Sequence, residues 1–140
     1  MEIKNFKIYV LCLFVALMAS CTRNDGDIGK VWGTWRVTAI EKDGVPVSEY
    51  TGTLYFQFQS SVYIQKYVDE ASHGRDDRAA SWYYQGEDVV VDFVDFDPVE
   101  ITGMQAGQSL LKVESYSDKD MVMSYESPEN VKYRYLLKKW

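Results

Sequence analysis

Histidine, cysteine and proline are scarce in this chain of 140 residues, which has one, two and three of them respectively. A zinc site draws on several His or Cys ligands, so the sequence indicates none. The lone His73 lies in a polar segment, and the chain has no Gly-x-Ser-x-Gly elbow that would supply a nucleophile. We therefore expect no catalytic residue, no metal ligand and no cofactor, and we expect that the protein is not an enzyme.

Positive charge is in deficit as well, with 15 Lys and Arg residues against 21 Asp and Glu residues. Without residues 1–20, which contain Lys4, Lys7 and Glu2, the balance is 13 against 20 and the net charge is −7. Nucleic-acid binding depends on Lys and Arg side chains that neutralise phosphates. The composition therefore argues against a nucleic acid as a partner.

A long hydrophobic run is also missing. The unbroken apolar stretch Ile8–Ala19 is too short for a spanning helix, which needs roughly 20 apolar residues. It follows Lys4 and Lys7 and precedes Ser20 and Cys21. A basic start, a short apolar core and small residues before a cleavage point are typical of a secretory signal.

The run Met18-Ala19-Ser20-Cys21 resembles the lipobox of bacterial lipoproteins, although Leu is commoner where Met18 stands. The resemblance implies a signal peptide over 1–20, lipidation of Cys21, a flexible tether over 21–30 and the membrane as a partner. The alternative is a plain secretory peptide that ends near a cysteine. The residue after the cysteine is Thr22 and not Asp. By its resemblance to Gram-negative sorting rules, this favours the outer membrane of a Gram-negative bacterium. The Asn24–Asp27 stretch is similar to acidic surface-export signals.

The rest of the chain alternates apolar and polar side chains with the period of a half-buried strand. Examples are Leu54, Phe56 and Phe58, or Met121 and Met123. The alternation predicts eight strands, and residues 99–104 are compatible with a short ninth. The eight cover residues 31–41, 53–59, 62–68, 79–85, 88–94, 109–117, 120–126 and 131–139.

Short and long connections alternate between these strands. Those at 60–61, 85–87 and 118–119 are tight hairpins, whereas those at 42–52, 69–78, 95–108 and 127–130 are longer. In a meander, alternate connections lie at opposite ends, so the tight turns share one end and the long loops the other. Eight antiparallel strands suit a small closed barrel that holds packed side chains or one small ligand. The predicted fold is an all-β, eight-stranded antiparallel up-and-down barrel over 31–140.

Gly33-Thr34-Trp35, on the first predicted strand, resembles the Gly-x-Trp signature of lipocalins and the wider calycin superfamily. The chain is similar to the lipocalin-like domains of small secreted bacterial lipoproteins. The resemblance implies that Trp35 packs near the closed end of the barrel. The family also places an Arg over this Trp, and fatty-acid-binding relatives use an Arg-x-Tyr pair on the last strand. Here Tyr135 follows Arg134 directly, and alternation turns Arg134 outward, so neither role transfers.

The four long connections hold three basic and ten acidic residues, which give −7 in total. The basic residues are Lys42, Arg75 and Arg78, and the acidic ones are Asp43, Glu49, Asp69, Glu70, Asp76, Asp77, Asp95, Asp97, Glu100 and Glu129. If these loops share one end, they form an acidic mouth that repels anions and attracts cations. The alternative is that the acidic loops only keep an exposed end soluble.

Two classes of function remain open. The first is a tethered binding protein that holds a small neutral or cationic apolar molecule behind the mouth. The second is a non-enzymatic structural or interaction lipoprotein with a packed barrel, which contacts another envelope protein or a glycan.

Four aromatic residues are candidate ligand contacts, since their rings are apolar and their tips are polar. They are Tyr67, Trp82, Tyr125 and Tyr133. Alternation places Tyr125 and Tyr133 on the interior face. Trp82 is expected partway along the strand 79–85. The facing of Tyr67 and Trp82 stays open, because Tyr63 and Tyr67 compete with the neighbouring aliphatic residues for the interior. The alternative role for all four is packing at the rim.

Overall fold

The computed structural model of the protein describes residues 7–12, 29–69 and 71–140. Residues 7–12 are helical, and within the described part of the chain no helix is long and apolar enough to cross a membrane. Cys21, the rest of the predicted signal peptide and most of the predicted tether lie outside the described residues.

Nine strands form one antiparallel sheet in the described chain, and eight of them close it into a barrel. They are β1 (Gly33–Lys42), β2 (Val45–Pro46), β3 (Leu54–Gln59), β4 (Val62–Asp69), β5 (Gly74–Gln85), β6 (Asp88–Phe93), β7 (Gly107–Tyr116), β8 (Asp120–Glu126) and β9 (Lys132–Lys139). From β3 to β9 each strand pairs with the next, β1 pairs with both β3 and β9, and the two-residue β2 extends the edge of β1. The predicted all-β, up-and-down barrel is confirmed.

The two ends of the barrel differ as the loop lengths predict. The tight turns after β3, β5 and β7 lie at one end, together with the start of β1 and the end of β9, and we call this the closed end. The connections before β3, β5, β7 and β9 lie at the other end, which we call the mouth. A meander of single strands produces this separation because each strand reverses the direction of the one before it.

Two predicted segments differ from the structure. Residues 99–104 contain a 3-10 helix, Glu100–Thr102, where a short strand was compatible with the sequence. The predicted long loop 69–78 is mostly strand, since β5 begins at Gly74 and pairs with β4 as far as Asp69. This part of β5 is polar because it lies at the rim, where both faces meet water, so the alternation that marks half-buried strands is absent there.

The interior faces follow the alternation with one exception. The side chains of Phe56, Phe58, Val89, Val91, Phe93, Met121 and Met123 are buried in the barrel. On β1 the register shifts between Val37 and Ala39, so Ile40 is buried in place of Ala39. On β4 the interior face carries Tyr63 and Gln65, both fully buried, and Tyr67 is on the same face.

Trp35 is fully buried at the closed end, as the family resemblance implies. Its indole nitrogen donates a 2.9 Å hydrogen bond to the carbonyl of Val31. The ammonium of Lys139 lies 4.5 Å from the centre of the Trp35 ring and donates to the carbonyl of Trp32. Burial lowers the pKa of Lys139.

Replacing Trp35 by Ala removes the largest fully buried side chain of the core. We expect a loss of about 3–5 kcal/mol in the free energy of unfolding, measured by chemical denaturation. The matched control is Trp140→Ala, because Trp140 is 74% exposed and its truncation should cost about 1 kcal/mol or less. Equal losses in the two variants would contradict the assigned role of Trp35.

The phenol of Tyr50 predicts an alkaline limit to stability. Its hydroxyl donates to the carbonyl of Val37 and accepts a 3.1 Å bond from the amide of Leu54, and burial raises the pKa of Tyr50 from 10.0 to about 12. Its contribution to stability is therefore complete below pH 10 and is lost as the pH rises towards 12. We expect Tyr50→Phe to make the fall in unfolding free energy shallower over this range. Some slope remains, because burial also raises the pKa of Tyr63 and Tyr135. An unchanged slope would contradict the role of Tyr50.

Candidate ligand site at the barrel mouth

Three of the four predicted contact residues lie towards the mouth, and the fourth does not. Tyr125 and Tyr133 are cross-strand partners whose rings stack with centres 6.3 Å apart, and Tyr67 lies near the mouth end of β4. Trp82 lies in the closed-end half of β5, where its ring contacts Phe58. Trp82 is in the middle of the predicted strand 79–85, but β5 has five more residues at its start, from Gly74 to Arg78. Trp82 therefore lies nearer the end of the strand than predicted.

An open cleft of about 750 Å³ lies at the mouth. Tyr67 and Tyr133 form part of its lining. One wall is the segment from β2 to Glu49, and the other is the connection between β6 and β7 from Val99 to Gly103. The aliphatic side chains of Val45, Val47, Val99 and Ile101 supply further apolar surface. The cleft therefore combines apolar walls with the polar tips of two tyrosines.

Residues 99–104, which we call the plug, cover the barrel interior beneath this cleft. Thr102 and Met104 are buried. The side-chain oxygen of Gln65 accepts a 2.7 Å hydrogen bond from the amide of Val99, and the hydroxyl of Tyr135 donates a 2.6 Å bond to the carbonyl of Thr102. Two interior side chains thus fix the backbone of the plug at two points.

Below the plug, aromatic rings fill the centre of the barrel. The ring of Phe56 lies 5.6 Å from that of Tyr63 and 5.3 Å from that of Tyr135, both edge to face. The amide nitrogen of Gln65 bonds the Tyr63 hydroxyl at 3.1 Å and contacts the Met104 sulfur at 3.3 Å. The open space therefore lies in the cleft above the plug, whereas the centre of the barrel is occupied by side chains.

Glycine is required where the plug meets the cleft. Gly103 has a φ of +74°, and a Cβ atom there would lie 2.1 Å from the ring of Tyr133. The backbone of the plug thus packs directly on the tyrosine that lines the cleft, so Tyr133 belongs both to the cleft and to the seat of the plug.

Part of the acidic charge of the mouth is neutralised locally. Arg78 pairs with Asp76 at 2.6 Å and holds the pKa of that carboxyl below its usual value, and Arg75 pairs with Asp77 at 3.1 Å. The cleft itself contains Lys42, Glu49 and Glu100, a net charge of −1. Neither Glu49 nor Glu100 joins an ion pair with another described residue.

The roles of Gln65 and the plug at the mouth were not predicted from the sequence. A glutamine in the middle of a strand gave no sign of its orientation, because apolar residues stood on both faces of β4. The plug residues have a mixed apolar pattern, Val99 to Met104, that reads equally well as a short strand. The only available signal was the length of the connection between β6 and β7, since long loops in small domains usually have a function.

Two crystal structures resemble this fold, while no protein-family model and no curated protein matches the chain. A lipocalin-like protein from Bacteroides uniformis superimposes with a TM-score of 0.62 and 17% identity, covering 80% of this chain and all of that one. An uncharacterized protein from Bacteroides eggerthii gives a TM-score of 0.56 and 15% identity, with 78% and 98% covered. At this level of identity the likeness shows the lipocalin-like fold.

Replacing Tyr135 by Phe tests how the plug is held. The variant removes the hydroxyl that pairs with the carbonyl of Thr102, and a buried acceptor left unpaired costs about 1–3 kcal/mol. Relative to the wild-type protein, we expect the variant to exchange its amide hydrogens faster in the plug, with a smaller change in the strands of the core. The matched control is Tyr133→Phe, because that hydroxyl has no hydrogen-bond partner among the described residues. Equal exchange in the two variants would show that the Tyr135 bond does not hold the plug.

Proposed function

We propose that the protein is a membrane-anchored, extracytoplasmic lipoprotein with a lipocalin-like barrel, which binds a small apolar molecule in its mouth cleft. The observation that carries the proposal is the open cleft of about 750 Å³ beside Tyr67 and Tyr133, above a plugged interior. Its volume lies within the range of about 300–1,000 Å³ that small-molecule sites occupy. The proposed site thus differs from a ligand cavity inside the barrel.

The charges of the cleft favour a neutral or cationic ligand. Glu49 and Glu100 outnumber Lys42, and the surrounding loops add further carboxylates. An anionic ligand would meet repulsion from this mouth, whereas a cation would be attracted to it. The proposal involves binding and no catalytic step.

A second candidate function is contact with another envelope protein or a glycan, and the filled interior favours it. The centre of the barrel is filled by the packed rings of Phe56, Tyr63 and Tyr135. In this alternative the mouth cleft receives a side chain or a sugar of the partner in place of a free small molecule.

Binding of a neutral apolar dye such as Nile red separates the cleft from the core. We expect Tyr67→Ala and Tyr133→Ala to weaken dye affinity more than they lower thermal stability. Tyr125→Ala should lower stability because Tyr125 is 6% exposed in the core, and it should also weaken dye affinity through the loss of its stacking on Tyr133. Trp82→Ala should do the reverse, because Trp82 packs on Phe58 away from the cleft. Salt should leave the affinity of the neutral dye nearly unchanged and weaken that of a cationic dye, whose attraction is screened. No dye binding, or equal losses of affinity in all four variants, would contradict the cleft and favour the second candidate.

The anchor has its own test. Acyl chains on Cys21 would each contribute about 0.8 kcal/mol per buried CH₂, and more than one chain gives stable anchoring. We therefore expect Cys21→Ala to move the exported protein from the membrane fraction to the soluble fraction. Cys12→Ala is the matched control and should leave the protein in the membrane fraction, because Cys12 is removed with the predicted signal peptide. Retention of the exported Cys21→Ala variant would contradict the lipid anchor.

A further inference from the structure

Exposed tyrosine and tryptophan side chains are confined to one end of the barrel. Among its described residues these are Tyr83, Tyr116 and Trp140, which are 44%, 42% and 74% exposed. Tyr83 lies two residues before the end of β5, Tyr116 ends β7 and Trp140 follows β9, so all three lie at the closed end. The large exposed apolar residues nearest the mouth are different in kind, namely Val45, Val94 and Phe96.

The two ends of the barrel also differ in net charge. Four lysines lie at the closed end beside four carboxylates, so that end is close to neutral. They are Lys30, Lys119, Lys138 and Lys139 with Glu87, Asp88, Asp118 and Asp120. The described residues of 42–52, 71–78, 95–108 and 127–130, at the mouth, instead have three basic and eight acidic side chains, a net charge of −5. Tyr and Trp side chains favour the interface between lipid and water. Lysine side chains can extend their charged ends to the headgroups there. An anionic bilayer surface would repel the mouth and accept the closed end.

The chain also enters the barrel at the closed end. The amide of Val31 donates a 3.3 Å hydrogen bond to the hydroxyl of Tyr84, and Lys139 holds the carbonyl of Trp32. Only residues 22–28 separate Cys21 from Gly29, and fully extended they span at most about 28 Å. The 12 residues of tilted β5 place the mouth roughly 30 Å from the closed end. A lipid on Cys21 therefore reaches the mouth only if this segment is fully stretched along the barrel wall.

We propose that the closed end is a membrane-docking surface, on which Tyr83, Tyr116 and Trp140 lie against the lipid headgroups. The inference rests on the proposed lipid anchor at Cys21. In this orientation the mouth cleft faces away from the bilayer. The cleft then takes its ligand from the aqueous side, and ligands dissolved in the bilayer core do not have direct access to it.

Site-specific fluorescence quenching tests this orientation in the lipidated full-length protein. The mature chain has no other free thiol once Cys21 is lipidated, so Asp118→Cys and Asp95→Cys each provide a single labelling position, at the closed end and the mouth respectively. The labelled proteins are reconstituted in phosphatidylcholine and phosphatidylglycerol vesicles that contain a lipid with a nitroxide on its headgroup. We expect the label at 118 to be quenched several-fold more strongly than the label at 95.

A double substitution then separates docking from simple tethering. We expect Tyr116→Ser with Trp140→Ser to reduce quenching at 118, whereas the mouth control Val94→Ser with Phe96→Ser leaves it unchanged. Equal quenching at 118 and 95, or no effect of the first pair, would overturn the docking surface. If the unlabelled parent does not remain with the vesicles, the lipid anchor itself fails and this inference fails with it. Retention of the parent with equal quenching overturns the orientation alone.

Discussion

A chain segment that enters the mouth of a β-barrel must find hydrogen-bond partners for its backbone, because water no longer reaches it. In this protein Gln65 and Tyr135 supply those partners to Val99 and Thr102. Both side chains are fully buried inside the barrel, so the plug satisfies the Gln65 side-chain oxygen and the Tyr135 hydroxyl, and these two groups satisfy its backbone. With the plug seated, the interior is a packed core, so the proposed binding surface is the cleft above the plug.

The two ends of the barrel are built differently. At the closed end, the chain entry and the ammonium of Lys139 both contact the buried ring of Trp35. The mouth consists of longer connections, whose residues meet fewer constraints from the core and can vary to suit a ligand. An anchored protein with this polarity would present its variable end to the surroundings and its packed end to the membrane.

The barrel itself could be predicted from the sequence, because both of its signals are local. Alternation along Leu54–Phe58 and Met121–Tyr125 reports which side chains face the core, and the lengths of the connections report which ends they share. Features that depend on contacts between residues far apart in the chain could not be predicted from local patterns. The register shift at Val37 exchanged Ala39 for Ile40, and the pairing of Gln65 with a loop 34 residues away left no trace in the alternation. The same limit explains Lys139, since its place over Trp35 depends on how β9 closes against β1.

We propose that a ligand binds above the plug and not within the barrel. Methyl NMR with a neutral apolar probe that carries a nitroxide tests it most directly, because the nitroxide broadens the methyl signals nearest to it. We predict broadening of the methyl signals of Val45, Val47, Val99 and Ile101 in the cleft. The methyl signals of Val89 and Leu111, which are fully buried in the closed-end half of the barrel, should broaden far less. Broadening of the Val89 and Leu111 signals as strong as that of the cleft signals would show that the plug opens and that the ligand enters the barrel, which would overturn the proposed site.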